Sequence, residues 1–396
     1  MKPLTLTDLS LKAKRVLMRV DFNVPLNKDG SISDDSRIRA SLPSVEYVLT
    51  HGASLILMSH LGRPKAAPDP QFSLAPCAKR LSELLKKPVA LAPDCVGPKV
   101  EKMASQLKPG EVLLLENIRF HPGEETPEKE PTFAASLAKL GDLYVNDAFG
   151  TAHRAHASTA LIASYFPSCS AAGFLMEKEI AFLSPLLHNP KRPFYTILGG
   201  AKVSTKIGVL KNLLSQVDAL FIGGGMAFTF LKAQGIEIGS SLFEAGELDT
   251  AKDILRSPKL HLPLDLAIAD AFSNDANRKT VEVTSGVPTG WQGMDIGPKT
   301  ISDWSQALER AATVFWNGPV GVFEMPRFAE GTRAIATRLA NLKAAQTIVG
   351  GGDSVAAIQQ MGLADRFTHL STGGGASLEF LELGHLPGLD CLTKRQ

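Results

Sequence analysis

The chain has 396 residues, with 42 Lys and Arg against 40 Asp and Glu, a formal net charge of +2. Apolar residues make up 44% and charged residues 21%, which excludes a disordered chain and a coiled coil. Near-neutral charge excludes a broadly basic nucleic-acid surface but leaves room for a local anion site. A single core rarely grows past roughly 250–300 residues, so about two domains are expected.

Short apolar runs recur along the chain, each followed by a polar or glycine-rich cluster and then a helical pattern. Val16–Val20 leads into Asp21-Phe22-Asn23-Val24-Pro25, and Leu55–Met58 into Ser59-His60-Leu61-Gly62-Arg63-Pro64. Val112–Leu115 leads into Glu116-Asn117-Ile118-Arg119-Phe120, and Leu143–Val145 into Asn146-Asp147-Ala148-Phe149-Gly150. Pro122–Pro131, rich in Glu, reads as an exposed loop. Gly173 precedes a strong helical pattern from Phe174, and Pro185, Pro190 and Pro193 then punctuate the chain. This reads as one long helix joining two domains. Beyond it, Phe194–Leu198 precedes Gly199-Gly200-Ala201-Lys202, and Ala219–Ile222 precedes Gly223-Gly224-Gly225. Val314–Trp316 precedes Asn317-Gly318-Pro319, and Thr347–Val349 precedes Gly350-Gly351-Gly352-Asp353.

Continuous rather than alternating apolar runs indicate strands buried on both faces. Strands alternating with helices indicate an α/β fold with two Rossmann-like parallel-sheet domains. Ligands of such sheets sit outside the carboxyl ends of the strands, where the unusual loops fall.

The four cysteines, Cys77, Cys95, Cys169 and Cys391, form no C-x-x-C pair and have no zinc spacing with histidine. Sparse cysteine in a large chain fits a reducing compartment. The first residues show no signal core or transit character, and no run approaches 18 apolar residues. A cytoplasmic protein that engages neither membrane nor nucleic acid is expected.

In the first half, Arg37, Arg63, Arg119 and Arg154 lie in or near predicted strand ends, accompanied by His60, His121, His153 and His156. Guanidinium forks bind carboxylate and phosphate bidentately, and four converging forks would hold a small, multiply charged anion. Any one of them alone reads more simply as a surface ion pair. His153 and His156 lack further ligands at metal spacing, so they fit an anion site better than a metal pair.

In the second half, eleven of the 34 glycines fall in four clusters, at 199–200, 223–225, 350–352 and 373–375. Glycine lets backbone N–H groups approach phosphate, and a following helix adds its positive end. Lys202 and Lys206 are four apart and would share a face if helical. Neither a Walker sequence nor G-x-G-x-x-G after a strand is present. Asp353 is a candidate Mg²⁺ ligand or, equally, a helix N-cap. Glu324 is a candidate ribose partner or a solvated loop carboxylate.

Together the motifs from Asp21–Pro25 to Ser371–Ser377, in order across almost the whole chain, resemble phosphoglycerate kinases. The resemblance implies two domains joined by a helix: residues 1–172 for phosphoglycerate, 173–190 as linker and hinge, and 191–378 for nucleotide. A tail, 379–396, would pack back on the first domain. It implies reversible phosphoryl transfer between 1,3-bisphosphoglycerate and ADP, giving 3-phosphoglycerate and MgATP, by a monomer. Carried over, Asp21, Asn23, Arg37, His60, Arg63, Arg119 and Arg154 would hold phosphoglycerate. Gly200, Ala201, Lys202, Lys206, Gly224, Asn317, Glu324, Gly351, Gly352, Asp353 and Ser354 would hold nucleotide, with Asp353 on the metal. Ser354 keeps the hydroxyl that many relatives carry on Thr. Arg37, Lys202, Lys206, Gly374 and Gly375 would stabilise the transferring group. Both attacking groups, a phosphate oxygen and a carboxylate, are already ionised at pH 7, so no general base is expected. The alternatives are another carboxylate kinase or a non-catalytic nucleotide-binding protein.

Overall fold

The computed structural model describes residues 2–395. They divide into two compact units, the second running from Phe182 to Gly384 and the first comprising the chain before Phe182 and from His385 onward.

The first unit is built on strands β1 (Arg15–Arg19), β2 (Ser54–Met58), β3 (Val89–Leu91), β4 (Val112–Leu114), β5 (Leu143–Asn146) and β6 (Ser170–Ala172). They form one sheet in the order β3-β4-β2-β1-β5-β6, every pair parallel. β2 is buried along its whole length, as its unbroken apolar run predicts. Its core includes Val16, Met18, Leu55, Leu57 and Val145 from the central strands. The edge strands β3 and β6 are only three residues long, too short for periodicity to reveal.

The second unit contains β7 (Phe194–Leu198), β8 (Ala219–Ile222), β9 (Leu260–His261), β10 (Asp265–Ala269), β11 (Arg278–Glu282), β12 (Gln292–Ile296), β13 (Thr313–Asn317), β14 (Gln346–Gly350) and β15 (His369–Leu370). Six make a second parallel sheet, β15-β14-β13-β7-β8-β9. Trp304 and Trp316 are fully buried in its core. The other three make an antiparallel sheet, β11-β10-β12, absent from the sequence reading. β11 is largely exposed, so its residues, Arg-Lys-Thr-Val-Glu, carry little apolar signal.

The joining helix runs Phe174–His188 and continues through Pro185. The chain changes units within it, between Ala181 and Phe182, rather than at its ends. Its start is fixed in the first unit: Asp147 Oδ1 accepts from the N–H groups of Leu175 (2.9 Å) and Met176 (3.2 Å). The return to the first unit comes at His385, later than the expected 379. Residues 379–383 lie in a helix, Gly374–Leu383, whose Leu381 carbonyl accepts from Asn212 Nδ2 in the helix Ile207–Gln216. Gly384, at φ 76°, ends that helix in the left-handed conformation that favours glycine. The tail is then tied down by Gly388 N–H to Ala152 O (2.8 Å), Asn146 Nδ2 to Gly388 O (2.9 Å) and Leu4 N–H to Thr393 O (2.7 Å).

A Cβ on Gly173 would come within 2.2 Å of Asp147 Oδ1, so side chain and helix start fit together only with glycine there. Asp147→Ala removes the cap and is expected to lower stability by about 1 kcal/mol, and Gly173→Ala to lower it by displacing the carboxylate. Denaturant titration of each variant checks this; an unchanged midpoint in both would contradict the capping role.

Candidate functional site

The carboxyl ends of the first unit's central strands converge on a network of charged side chains. Asp21 follows β1 and is buried; its Oδ2 accepts from Arg37 Nη1 at 2.5 Å. Arg37 sits in the first turn of the helix Ser36–Thr50 rather than in a strand-end loop. Burial alone would raise the Asp21 pKa, but the neighbouring cations, Arg37 foremost, hold it below the usual value. Asn23 Oδ1 accepts from Gly62 N–H (2.8 Å), and Gly62 O accepts from Arg119 Nη1 (2.8 Å). The turn carrying Arg63 is thereby pinned between the β1 and β4 loops, with Arg63 itself exposed. Arg119 also pairs with Glu125 (2.8 Å). Arg154 is exposed and donates from Nε to His153 Nε2 (3.0 Å). Burial, with Arg119, Arg19 and Arg154 close by, pushes His156 down to about 4. Burial is the larger cause, and the cations add to it.

Three members of this network escape the sequence reading. Arg19 ends β1 and is only 1% exposed. Glu124, expected in an exposed loop, is fully buried, and Ser158 donates to it through both Oγ (2.7 Å) and N–H (2.9 Å). Burial raises the Glu124 pKa, while Arg19 and Ser158 oppose the rise. An arginine inside the apolar run Val16–Val20 was the available signal; nothing local marks Glu124. His121 is held elsewhere, with Nε2 on Asp94 (2.7 Å) and Nδ1 on Glu130 (3.1 Å). The adjacent Cys95 thiol is occupied with Glu116 O (3.0 Å). These contacts join the segments carrying Asp94, Glu116, His121 and Glu130.

The second unit gathers its glycine clusters at the ends of β7, β8, β14 and β15, with Asn317-Gly318 at the end of β13. A Cβ on Gly374 would come within 2.6 Å of Gly351 Cα, so the starts of the helices Gly352–Gln360 and Gly374–Leu383 abut. The first backbone bonds of these helices are donated by Val355 and Ser377. The N–H groups of 352–354 and 374–376 lie ahead of them, at the positive helix ends. Gly351, at φ 92°, makes the turn possible.

Lys202 and Lys206 do not share a helical face, because the helix begins only at Ile207. Lys202 is exposed, whereas Lys206 is buried. Lys206 Nζ donates to Gly199 O (2.5 Å), Asn317 O (3.0 Å) and Asn317 Oδ1 (2.9 Å). Burial pushes Lys206 down to about 8, with the Asp353 carboxylate opposing the shift. Asn317 Nδ2, buried beside Gly350 and Gly351, has no hydrogen-bond partner. Ser354 is fully buried and accepts from Gly318 N–H through Oγ (2.7 Å), which ties two loops together.

Next to this cradle lies an apolar slot. Gly200, Ala201, Gly224, Glu324 and Asp353 line it, together with Phe228, Leu242, Phe272 and Met294. The last four were not assigned from sequence, since the β10–β12 sheet that shapes the slot was not foreseen. Asp295, at the slot, accepts from Gly331 N–H (2.7 Å) and Ile296 N–H (2.9 Å), and burial pushes it up to about 7. A slot of this kind suits a flat apolar ring, and the cradle beside it suits a phosphate chain.

The family profile described as "Phosphoglycerate kinase" matches residues 6–384. The chain belongs to the phosphoglycerate kinase family. It is 57% identical over 396 residues to the phosphoglycerate kinase of Roseiflexus castenholzii, covering 98% of each chain. It is 54% identical to that of Koribacter versatilis over the full length of both. The solved structure of phosphoglycerate kinase from Coxiella burnetii matches with a TM-score of 0.85 at 40% identity over 98% of each chain. Both six-stranded parallel sheets accord with that family fold.

The Lys206 environment gives a test needing no ligand. One lysine is expected to titrate near pH 8 in NMR spectra of the lysine-labelled protein, and Lys206→Arg should abolish that signal. Because Asp353 favours the charged ammonium, Asp353→Asn should move the titration lower still. A Lys206 that titrates with the exposed lysines would contradict the burial argument.

Proposed function

We propose that the chain catalyses reversible phosphoryl transfer from 1,3-bisphosphoglycerate to ADP, giving 3-phosphoglycerate and ATP. The observation that carries the reading is the presence, in a member of this family, of two chemically different anion sites. One is built from guanidinium forks, the other from helix N-termini and a buried lysine beside an apolar slot.

In this reading Asn23, Arg37, His60, Arg63, Arg119 and Arg154 hold the phosphoglycerate anion. Asp21, the one carboxylate of the set, orients Arg37 and suits a substrate hydroxyl rather than a phosphate. The base occupies the slot, with Gly200, Ala201 and Gly224 along it and Glu324 placed for the ribose. The phosphates run towards Lys202, Lys206, Asn317 and the N–H groups of Gly351, Gly352, Asp353 and Ser354. The unpartnered Asn317 amide supports this, since a phosphate oxygen would satisfy it.

Mg²⁺ takes hard oxygen ligands and keeps most of its shell for phosphates and water. The exposed Asp353 carboxylate at the slot fits that demand and would hold the ion, which when bound neutralises charge on the nucleotide phosphates. The attacking oxygen is ionised in either direction, so the protein's task is positioning and charge stabilisation. Arg37, Lys202, Lys206 and the N–H groups of Gly374 and Gly375 supply the donors for the transferring group. Because the two sites belong to different units, transfer calls for a hinge; Phe174–His188 and Ser371–Gly375 are the segments proposed for it. A cytoplasmic monomer, as the family resemblance implies, completes the reading. Four free cysteines suit a reducing compartment.

Coupled formation of ATP from 1,3-bisphosphoglycerate and ADP tests the function; no ATP from the folded protein would refute it. Arg37→Ala should lower kcat roughly 10²–10³-fold, the loss typical of a transition-state donor, with little change in nucleotide affinity. Near-normal turnover would remove that role. Asp353→Ala should shift the Mg²⁺ dependence of the rate to higher concentration, and an unaltered titration would exclude it as a ligand.

A further inference from the structure

We propose that Arg19 is a positioning residue that fixes the tautomer of His60, so that His60 meets its ligand as a neutral Nε2–H donor rather than as a cation. The inference deepens the reading above, in which His60 faces phosphoglycerate.

Arg19 is held on three sides. Nε donates to Ser158 Oγ (2.8 Å), Nη1 to the carbonyl of Val20, and Nη2 lies 3.2 Å from His60 Nδ1. A guanidinium has donors only. The contact with His60 is therefore a hydrogen bond only if Nδ1 carries its lone pair. A proton on Nδ1 would set two N–H groups against each other in a buried site.

The competing partner for that nitrogen is Asp21, and it is badly placed. Asp21 Oδ1 lies 4.0 Å from Nδ1, beyond hydrogen-bond reach. It accepts from Asn23 N–H (3.2 Å), while Oδ2 is taken by Arg37. The charged groups facing His60 are Asp21, Arg19, Arg119 and Arg37, one anion against three cations. Burial and those cations hold the imidazole well below its ordinary pKa, against the opposing pull of Asp21. A neutral ring with a lone pair on Nδ1 carries its proton on Nε2.

The relay behind Arg19 keeps the guanidinium in place. Ser158 Oγ accepts from Arg19 and donates to the fully buried Glu124, which offsets the arginine charge without touching the imidazole. The arginines thus supply the site's positive charge, and His60 supplies a directional hydrogen bond that persists across neutral pH.

Long-range ¹H–¹⁵N spectra of the ligand-free, full-length protein read the tautomer directly, with His60 identified by the signals missing in His60→Gln. The expected result is an unprotonated Nδ1 and a protonated Nε2, unchanged from pH 6 to 8. A protonated Nδ1, alone or with Nε2, would overturn the proposal. Ser158→Ala, which frees the Arg19 fork, should mix the tautomers and raise the KM for 3-phosphoglycerate several-fold with the KM for MgADP unchanged; Ser158→Thr should restore both. An unaltered spectrum and KM in Ser158→Ala would likewise count against it. The wild-type spectrum needs no turnover, so a wrong tautomer with ATP formation intact refutes this inference alone.

Discussion

Parallel strand pairing is the constraint on which everything else rests. Because every strand of each six-stranded sheet runs the same way, all carboxyl ends reach one edge, and register decides which loops meet. In the first unit Arg19 pairs with Met58 on one side and Asn146 on the other. The loops carrying Asp21, His60 and Arg154 therefore leave the sheet at one level. In the second, Asn317 pairs with Leu198 and Gly350. That register sets the Asn317 side chain between the first and third glycine clusters and gives Lys206 its three oxygen acceptors.

From the same scaffold the two units reach opposite electrostatic solutions. The first keeps permanently charged guanidinium groups and offsets them with the buried carboxylates of Asp21 and Glu124, so its cations stay fixed and oriented. The second relies on backbone N–H groups and one buried lysine whose charge is weakened by desolvation. A small acid phosphate with a set shape suits the first arrangement. A flexible phosphate chain that brings its own metal suits the second. The overall charge of +2 hides this, since it averages the cations of the two clusters against acidic side chains elsewhere.

What the sequence revealed was governed by where the information lay. Eight buried strands announced themselves as unbroken apolar runs, and their flanking motifs carried the family resemblance. The edge strands β3, β6, β9 and β15 are too short to show a period, and the exposed β11 has little apolar content. Without the β10–β12 sheet the apolar slot had no visible wall, so Phe228 and Met294 went unassigned. Arg19 was visible only as an oddity in an apolar run. Glu124 gave no local sign of burial, because its partners Ser158 and Arg19 are distant in sequence. The pairing of Lys202 with Lys206 on one helical face failed because the chain bends and turns through residues 201–206 and the helix begins only at Ile207. Ser354 reads as a nucleotide contact from its motif, and the structure adds a second task, accepting from Gly318 N–H.

The central claim is that each strand-end cluster holds a different anion. Calorimetric titration of 3-phosphoglycerate and MgADP into Arg63→Ala and Lys202→Ala tests it most directly, because both side chains are exposed and neither variant disturbs a core. Arg63→Ala should weaken 3-phosphoglycerate about tenfold, or ~1.4 kcal/mol, and leave MgADP unchanged. Lys202→Ala should do the reverse. Equal weakening of both ligands in either variant, or an effect on the opposite ligand, would contradict the division.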